Sequence, residues 1–327
     1  MKVSELGEFG LIDLLAEMVG GVQDEHLLIG IGDDAAAWQG DASIQLATVD
    51  SFIQDVHFPS GIASWQELGW KAMAANLSDI AAMGGVPRYA LASLALPEDT
   101  EVDDVTALYT GMLDLAQQYG VAIIGGDISR APIVIITVTV LGSSQRKPLL
   151  TRSAAKPGEL IAVTGYLGAA AAGLEMLKKK LQFDPQATAC FKQAFLHPSP
   201  RIAEGQLLLE QGVKTAIDLS DGLISDLSQI GKASQVGARV EVDQVPVEPA
   251  VKVGFGERAL EMALAGGEDY ELLFTAKAEV IDKVKQSASC PITVIGEIVA
   301  GKGVTVVDRQ GNPIKLGKAG WEHFVTR

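Results

Sequence analysis

Two runs of alternating strand-like and helix-like segments, separated by one polar, proline-punctuated stretch, constrain the fold of this chain more than any other feature. In the first run, "SIQLATVD" (43–50) alternates in polarity and ends on Asp50, the pattern of a strand delivering a carboxylate at its end. "SWQELGWKAMAANLSDIAAMGG" (64–85) is alanine-rich with helical spacing, and Gly84-Gly85 supply a stop. "RYALASLALP" and "PIVIITVTVLG" read as strands, and "VAIIGGD" (121–127) as a short strand entering a glycine turn. "DDVTALYTGMLDLAQQYG" reads as an amphipathic helix closed by Gly120. The polar stretch "SSQRKPLLTRSAAKPGE" (143–159) then places a domain boundary at about residue 148.

Beyond it the pattern restarts. A strand "LIAVTG" precedes a helix around "GAAAAGLEMLKKKL", and helical stretches lie on either side of "HPSP" (197–200). After "TAIDLSDGLISDLSQIGKAS" come a strand "ARVEV", a helix over "GERALEMALAGG", a strand "DYELLFTA" and alternating terminal segments. The expected class is therefore α/β (α+β) with mixed sheets in two domains, 1–148 and 149–327.

Charge narrows the function. The 26 Lys and Arg residues face 41 Asp and Glu, for a net charge of −15. That balance argues against nucleic acid and against an anionic membrane surface as partners. Cys190 and Cys290 form no CxxC or Cys/His spacing, which points to reduced thiols in the cytoplasm. The start "MKVSELGEFG" lacks the character of a secretion signal, and the apolar run "APIVIITVTVLG" is too short and too β-branched for a membrane helix.

"GIGDDA" spaces its glycines almost as a dinucleotide-binding turn does, yet puts Asp33 and Asp34 where phosphate oxygens would come. Further carboxylates stand in "ATVDS" (Asp50), "NLSDIAAMGG" (Asp79), "IGGDIS" (Asp127), "DLSDGL" (Asp218, Asp221) and "GGEDYE" (Glu268, Asp269). Each alone reads equally as turn chemistry, and Ser220 or Asp221 as a plain helix cap. Lys71, on the helix leading to Asp79, reads as solvent-facing with a buried stem. As a group the acids point elsewhere. Two carboxylates about 4 Å apart repel by roughly 4 kcal/mol at an effective dielectric near 20. Mg²⁺ relieves that repulsion and carries substrate phosphates. Acidic side chains from both halves are thus expected to hold metal that in turn holds phosphate. No Walker-type P-loop, protein-kinase set, HExxH or G-x-S-x-G elbow occurs.

"GEFGLI", "GIGDDAA", "VHF", "NLSDIAAMGG", "IGGDISR", "LTRSAAKPG", "HPSPR", "IDLSDGLISDL" and "GGEDYELLF" follow one another across nearly the whole chain. In this set the chain resembles the thiamine-monophosphate kinase family of the aminoimidazole ribonucleotide synthetase-like superfamily. The resemblance implies Mg²⁺-dependent transfer of the ATP γ-phosphoryl to thiamine monophosphate. It also implies a two-domain synthetase-like fold, whose N-terminal sheet pairs in a homodimer and whose C-terminal α/β domain covers the cleft.

Matched motif by motif, Asp34, Thr48, Asp50, Asp79, Asp127, Asp218 and Asp221 resemble Mg²⁺ ligands for several ions. Gly126, Asp127, Arg152 and Ser220 resemble nucleotide contacts, and His57, Glu268 and Trp321 resemble contacts to the thiamine substrate. Val49 departs from the Ser or Thr of many members. No catalytic nucleophile is expected. The rival superfamily readings are a selenophosphate or ribonucleotide synthetase and a hydrogenase-maturation protein; the rival outside it is a non-catalytic metal- or nucleotide-binding protein.

Overall fold

The computed structural model describes residues 2, 5, 8–19, 27–29, 37–38, 40, 42–145, 149–314 and 320. The chain divides into two compact units, one of Met1–Ile80 with Val86–Arg146, the other of Ala81–Gly85 with Lys147–Arg327. Residues 146–148, around the expected boundary, lie outside the described residues.

In the first unit, β1 (Leu27–Ile29) and β2 (Ala37–Trp38) form a small antiparallel pair. The main sheet contains β3 (Ile44–Ile53), β4 (Val86–Leu96), β5 (Ala122–Arg130) and β6 (Ile135–Ser144) in the order β3-β6-β4-β5. Only the β4–β5 pairing is parallel, so the sheet is mixed, with β3 and β5 at its edges. Alternation along β3 is strict: Thr48, Asp50 and Phe52 turn inward while Ala47, Val49 and Ser51 are exposed. The "VAIIGGD" segment is not a strand ending in a glycine turn. β5 runs on through Gly125, Gly126 and Asp127, paired with Leu91, Ala92 and Ser93. Glycine suits the strand here because a Cβ on Gly126 would overlap the Ala92 carbonyl.

The helix Trp65–Ala82 is buried almost all round, with Ala72–Ser78 entirely inside. Lys71, expected to face solvent, is 4% exposed, because the helix has no solvent face at that turn. Gly69 of this helix lies against Leu108, and Gly111 of the helix Val102–Tyr119 lies against Gln66. At both positions a methyl group would overlap a backbone carbonyl, so the two axes approach closely only because both residues are glycine.

The second unit has a six-stranded sheet of β7 (Leu160–Thr164), β8 (Thr215–Asp218), β9 (Gly237–Glu241), β10 (Leu272–Ala276), β11 (Ile292–Val299) and β12 (Gly303–Val307). Its order is β12-β9-β11-β7-β10-β8, with only β12–β9 parallel. Helices Ala169–Lys179, Pro185–Leu196, Ile202–Glu210, Leu223–Ser234, Pro249–Phe255, Ala259–Ala265 and Ala278–Ser287 accompany it. The last of these, followed by β11 and β12, resolves the alternating terminal segments into one helix and two strands. Ile281 and Val284 turn inward from an otherwise charged run, too sparse a pattern to announce a helix.

The helix Ala169–Lys179 starts from Gly168, whose φ is +91°. Its N-terminal N–H groups at Gly168 and Ala170 donate to the Asp269 carboxylate, at 2.8 and 3.3 Å. Burial pushes the Asp269 carboxyl up to about 7, against the pull of those two bonds.

Two stability predictions follow from this packing. Gly69→Ala and Gly111→Ala should each destabilise by about 1–3 kcal/mol in urea unfolding, although helix propensity alone favours alanine by roughly 1 kcal/mol. The second concerns pH. Asp269 keeps its proton in the folded state over a range, about pH 4 to 7, in which the unfolded chain releases it. Its stabilising contribution is therefore full below pH 4 and is lost as pH rises through 7. Across that window the stability of the wild type relative to Asp269→Asn should fall by up to about 4 kcal/mol, then stay flat above pH 8.

Candidate functional site

The expected site residues fall into two groups, one in each unit. In the first unit, Thr48 and Asp50 occupy the inward face of β3, paired with Val140 and Val138 of β6. The Thr48 hydroxyl donates to the carboxylate of Asp79, which sits in the last turn of the helix Trp65–Ala82. β3 runs three residues past Asp50, so this carboxylate stands mid-strand and not at the expected strand end. Thr48, Asp50 and Asp79 offer hard oxygen donors, the type that suits Mg²⁺.

Gly126 and Asp127 lie on β5, the opposite edge, and both are exposed. The register sets Asp127 beside Ser93, and through it beside Thr137 and Ser51, on the other face from Asp50. Three strand spacings, roughly 14 Å, separate the two edges. Within this unit Thr48 meets Asp79 and shares a strand face with Asp50, while Asp127 is set apart.

His57 follows β3 in a tight turn. Its Nδ1 accepts from the Ile53 N–H at 3.1 Å, and its own N–H donates to the Ile53 carbonyl. That acceptor role leaves the proton of the neutral ring on Nε2.

The second unit builds a tighter arrangement. Asp218 ends β8, 2% exposed and in register with Leu272 of β10. The chain continues through Ser220, Asp221 and Gly222 into the helix Leu223–Ser234. Neither Ser220 nor Asp221 caps this helix. Gly222 is its N-cap, and the N–H groups of Asp221 and Gly222 both donate to the Asp226 carboxylate, at 3.2 and 3.0 Å. Burial and the neighbouring Asp221 charge push the Asp226 carboxyl up to about 7, although these bonds and the nearby Arg152 cation pull the other way. Arg152 is placed by Thr151, which bridges to Thr215 of β8, and by its own carbonyl, which accepts from the Ser234 hydroxyl.

The "GGEDYE" segment lies along this turn. Glu268 and Tyr270 donate their N–H groups to the carbonyls of Ser220 and Leu219, and Leu219 donates to Glu271, all within 2.9 Å. A Cβ on Gly267 would stand 2.5 Å from the Ser220 carbonyl, so the approach requires glycine. The segment is not strand from residue 269, because Glu268 and Tyr270 take left-handed φ values of 69° and 50°. Such backbone costs about 1–3 kcal/mol per residue and persists only where its surroundings hold it.

Here the surroundings are two inward carboxylates. Asp269 binds the N-terminus of the helix Ala169–Lys179, and Glu271 accepts from the Thr164 hydroxyl and from Arg201. The Arg201 guanidinium grips Glu271 with Nε at 2.6 Å and Nη2 at 2.5 Å. Gly165 lies alongside, where a Cβ would overlap the Glu271 carboxylate. Arg201 and Glu271 had no expected role; seventy residues of chain separate them, and no local spacing announces the pair.

Gly320 also rests on this turn, where a Cβ would come within 2.7 Å of the Asp221 carbonyl and 2.6 Å of Ser225. Trp321, Asp33 and Asp34 lie outside the described residues. Among the described residues no three His, Cys, Asp or Glu side chains gather closely enough to hold a metal ion. None of the described helices is long and apolar enough to cross a membrane.

The chain matches the family description "AIR synthase related protein, N-terminal domain" over residues 32–144 and the corresponding C-terminal domain over 156–309. It is 35% identical to the thiamine-monophosphate kinase of Bacillus subtilis over 98% of this chain and 100% of that one. Among solved structures it resembles the thiamine-monophosphate kinase of Stenotrophomonas maltophilia at 36% identity, with a TM-score of 0.83 over 94% of this chain and 98% of that one. It also resembles AaThiL complexed with AMPPCP and TMP, at 34% identity and a TM-score of 0.79 over 99% of each chain. With near-complete coverage at this identity, and both domains matched, the chain belongs to the thiamine-monophosphate kinase family.

Proposed function

We propose that this chain is an ATP-dependent kinase that phosphorylates thiamine monophosphate to thiamine diphosphate in the cytoplasm. One observation carries the reading. The "DLSDGL" turn and the "GGEDYE" arch form a single hydrogen-bonded unit, in a chain similar over 99% of its length to AaThiL complexed with AMPPCP, an ATP analogue, and TMP. The N-terminal domain (1–148) takes the role of ATP and Mg²⁺ binding and of dimerisation, and the C-terminal domain (149–327) supplies the remaining contacts.

Asp34, Thr48, Asp50, Asp79, Asp127, Asp218 and Asp221 are assigned as ligands of several Mg²⁺ ions. Bound there, Mg²⁺ supplies charge neutralisation to phosphate oxygens. Gly126, Asp127, Arg152 and Ser220 are assigned to the nucleotide, with Arg152 as the cation of that set. The N–H groups of Asp221 and Gly222 are engaged by Asp226 and so are not offered to phosphate. His57, Glu268 and Trp321 are assigned to the acceptor.

The acceptor oxygen belongs to a phosphate monoester and is already anionic near neutral pH. It needs no general base, and none is assigned. The work of the protein is to position two polyanions in line, and transfer is direct. A second copy of the chain is assigned to the outer face of the first unit's sheet, where Val49 is 59% exposed between Ala47 and Ser51.

Incubation with ATP, Mg²⁺ and thiamine monophosphate should yield thiamine diphosphate and ADP in equal amounts. Asp50→Asn and Asp127→Asn should each lower kcat by about a hundredfold or more at saturating Mg²⁺, with the unfolding midpoint little changed. Radiolabelled phosphate retained on denatured protein would refute direct transfer. In sedimentation, the wild type should run as a dimer and Val49→Lys as a monomer.

A further inference from the structure

Glu268 sits in a backbone conformation that it would not adopt unaided, since both it and Tyr270 have left-handed φ. Side chains 269 and 271 turn into the domain from this arch and pin it at alternate positions. Asp269 is pinned by backbone N–H groups at a helix start, which no side-chain substitution removes. Glu271 is pinned by side chains, the Thr164 hydroxyl and the Arg201 fork. Gly165 keeps the space the carboxylate fills. A guanidinium fork satisfies both carboxylate oxygens in one plane, whereas an ammonium meets them as a point charge.

We propose that Arg201 is a positioning residue for acceptor binding. Through its two-pronged bond to Glu271 it holds the arch so that Glu268 meets the acceptor. The proposal rests on the assignment of Glu268 to the acceptor. The nucleotide side of the same turn has a further support that the acceptor side lacks, because Asp226 accepts from the N–H groups of Asp221 and Gly222. Loosening the fork should therefore weaken acceptor binding far more than nucleotide binding.

The test is a double-mutant cycle in the full-length enzyme, with KM for thiamine monophosphate and for ATP measured separately. Arg201→Lys should raise the acceptor KM about tenfold while the ATP KM changes less than about twofold. Thr164→Val, which removes the bond to Glu271 and the acceptor of the Leu272 N–H while keeping the side-chain volume, should move the acceptor KM the same way by about threefold. Glu268→Gln should raise the acceptor KM by itself, and adding Arg201→Lys to it should produce no further rise. Should Arg201→Lys fail to fold, Thr164→Val takes its place in the cycle. If the effects of positions 201 and 268 multiply independently, or if both KM values rise together, the positioning role is overturned. If Glu268→Gln leaves the acceptor KM unchanged, the assignment of Glu268 fails instead, a result separable from the first two.

Discussion

A strained stretch of backbone held by inward carboxylates is the constraint on which the second unit's site depends. Left-handed φ at both Glu268 and Tyr270 is costly, and only a set of bonds that no other conformation can satisfy keeps it in place. Those bonds come from separate parts of the chain: the start of the helix Ala169–Lys179, the end of β7, Arg201, and the carbonyls of Leu219 and Ser220. The result is a rigid continuation of the β8–β10 pairing beyond its last strand residues. It ties Asp218, Ser220, Asp221 and Glu268 into one body. Beside it, partial burial pushes the half-buried Cys290 thiol up to about 11, against the pull of the Arg201 cation.

The carboxylates of this chain are handled in two ways. Glu271, deep in the fold, has a full guanidinium partner, as a buried charge must; removing one partner of such a pair costs about 3–5 kcal/mol. Near the assigned site, Asp79 accepts from a threonine hydroxyl, and Asp226 accepts from two backbone N–H groups while burial and the Asp221 charge push its carboxyl up to about 7. Such donors orient a carboxylate, and oriented oxygen donors are what a hard divalent cation requires. A net charge of −15 on a protein that handles polyanions is consistent with that division.

Much of the architecture was legible because strands and helices leave different periods in the sequence. β3, β4, β7 and β9 and the helices Trp65–Ala82 and Val102–Tyr119 lie close to where alternation and helical spacing put them. The failures have specific causes. Glycines in β5 looked like a turn, yet their role is to let two parallel strands approach. Lys71 looked solvent-facing, but its helix has no solvent face at that turn. Ser220 and Asp221 looked like caps, while the capping carboxylate came from Asp226, inside the helix.

By itself, the sequence determined the alternation of elements in two halves, the excess of carboxylates at strand ends and glycine turns, and the ordered motifs that mark the family. All of these are local properties, readable within a few residues. Tertiary structure alone decided that Asp50 and Asp127 stand on opposite faces and edges of one sheet, and that Thr48 reaches Asp79. It alone decided, too, that Arg201 grips Glu271. The physical reason is common to all three. Strand order, strand register and a buried ion pair join residues distant in the chain, and no period or spacing along a sequence encodes which distant partner a side chain will meet.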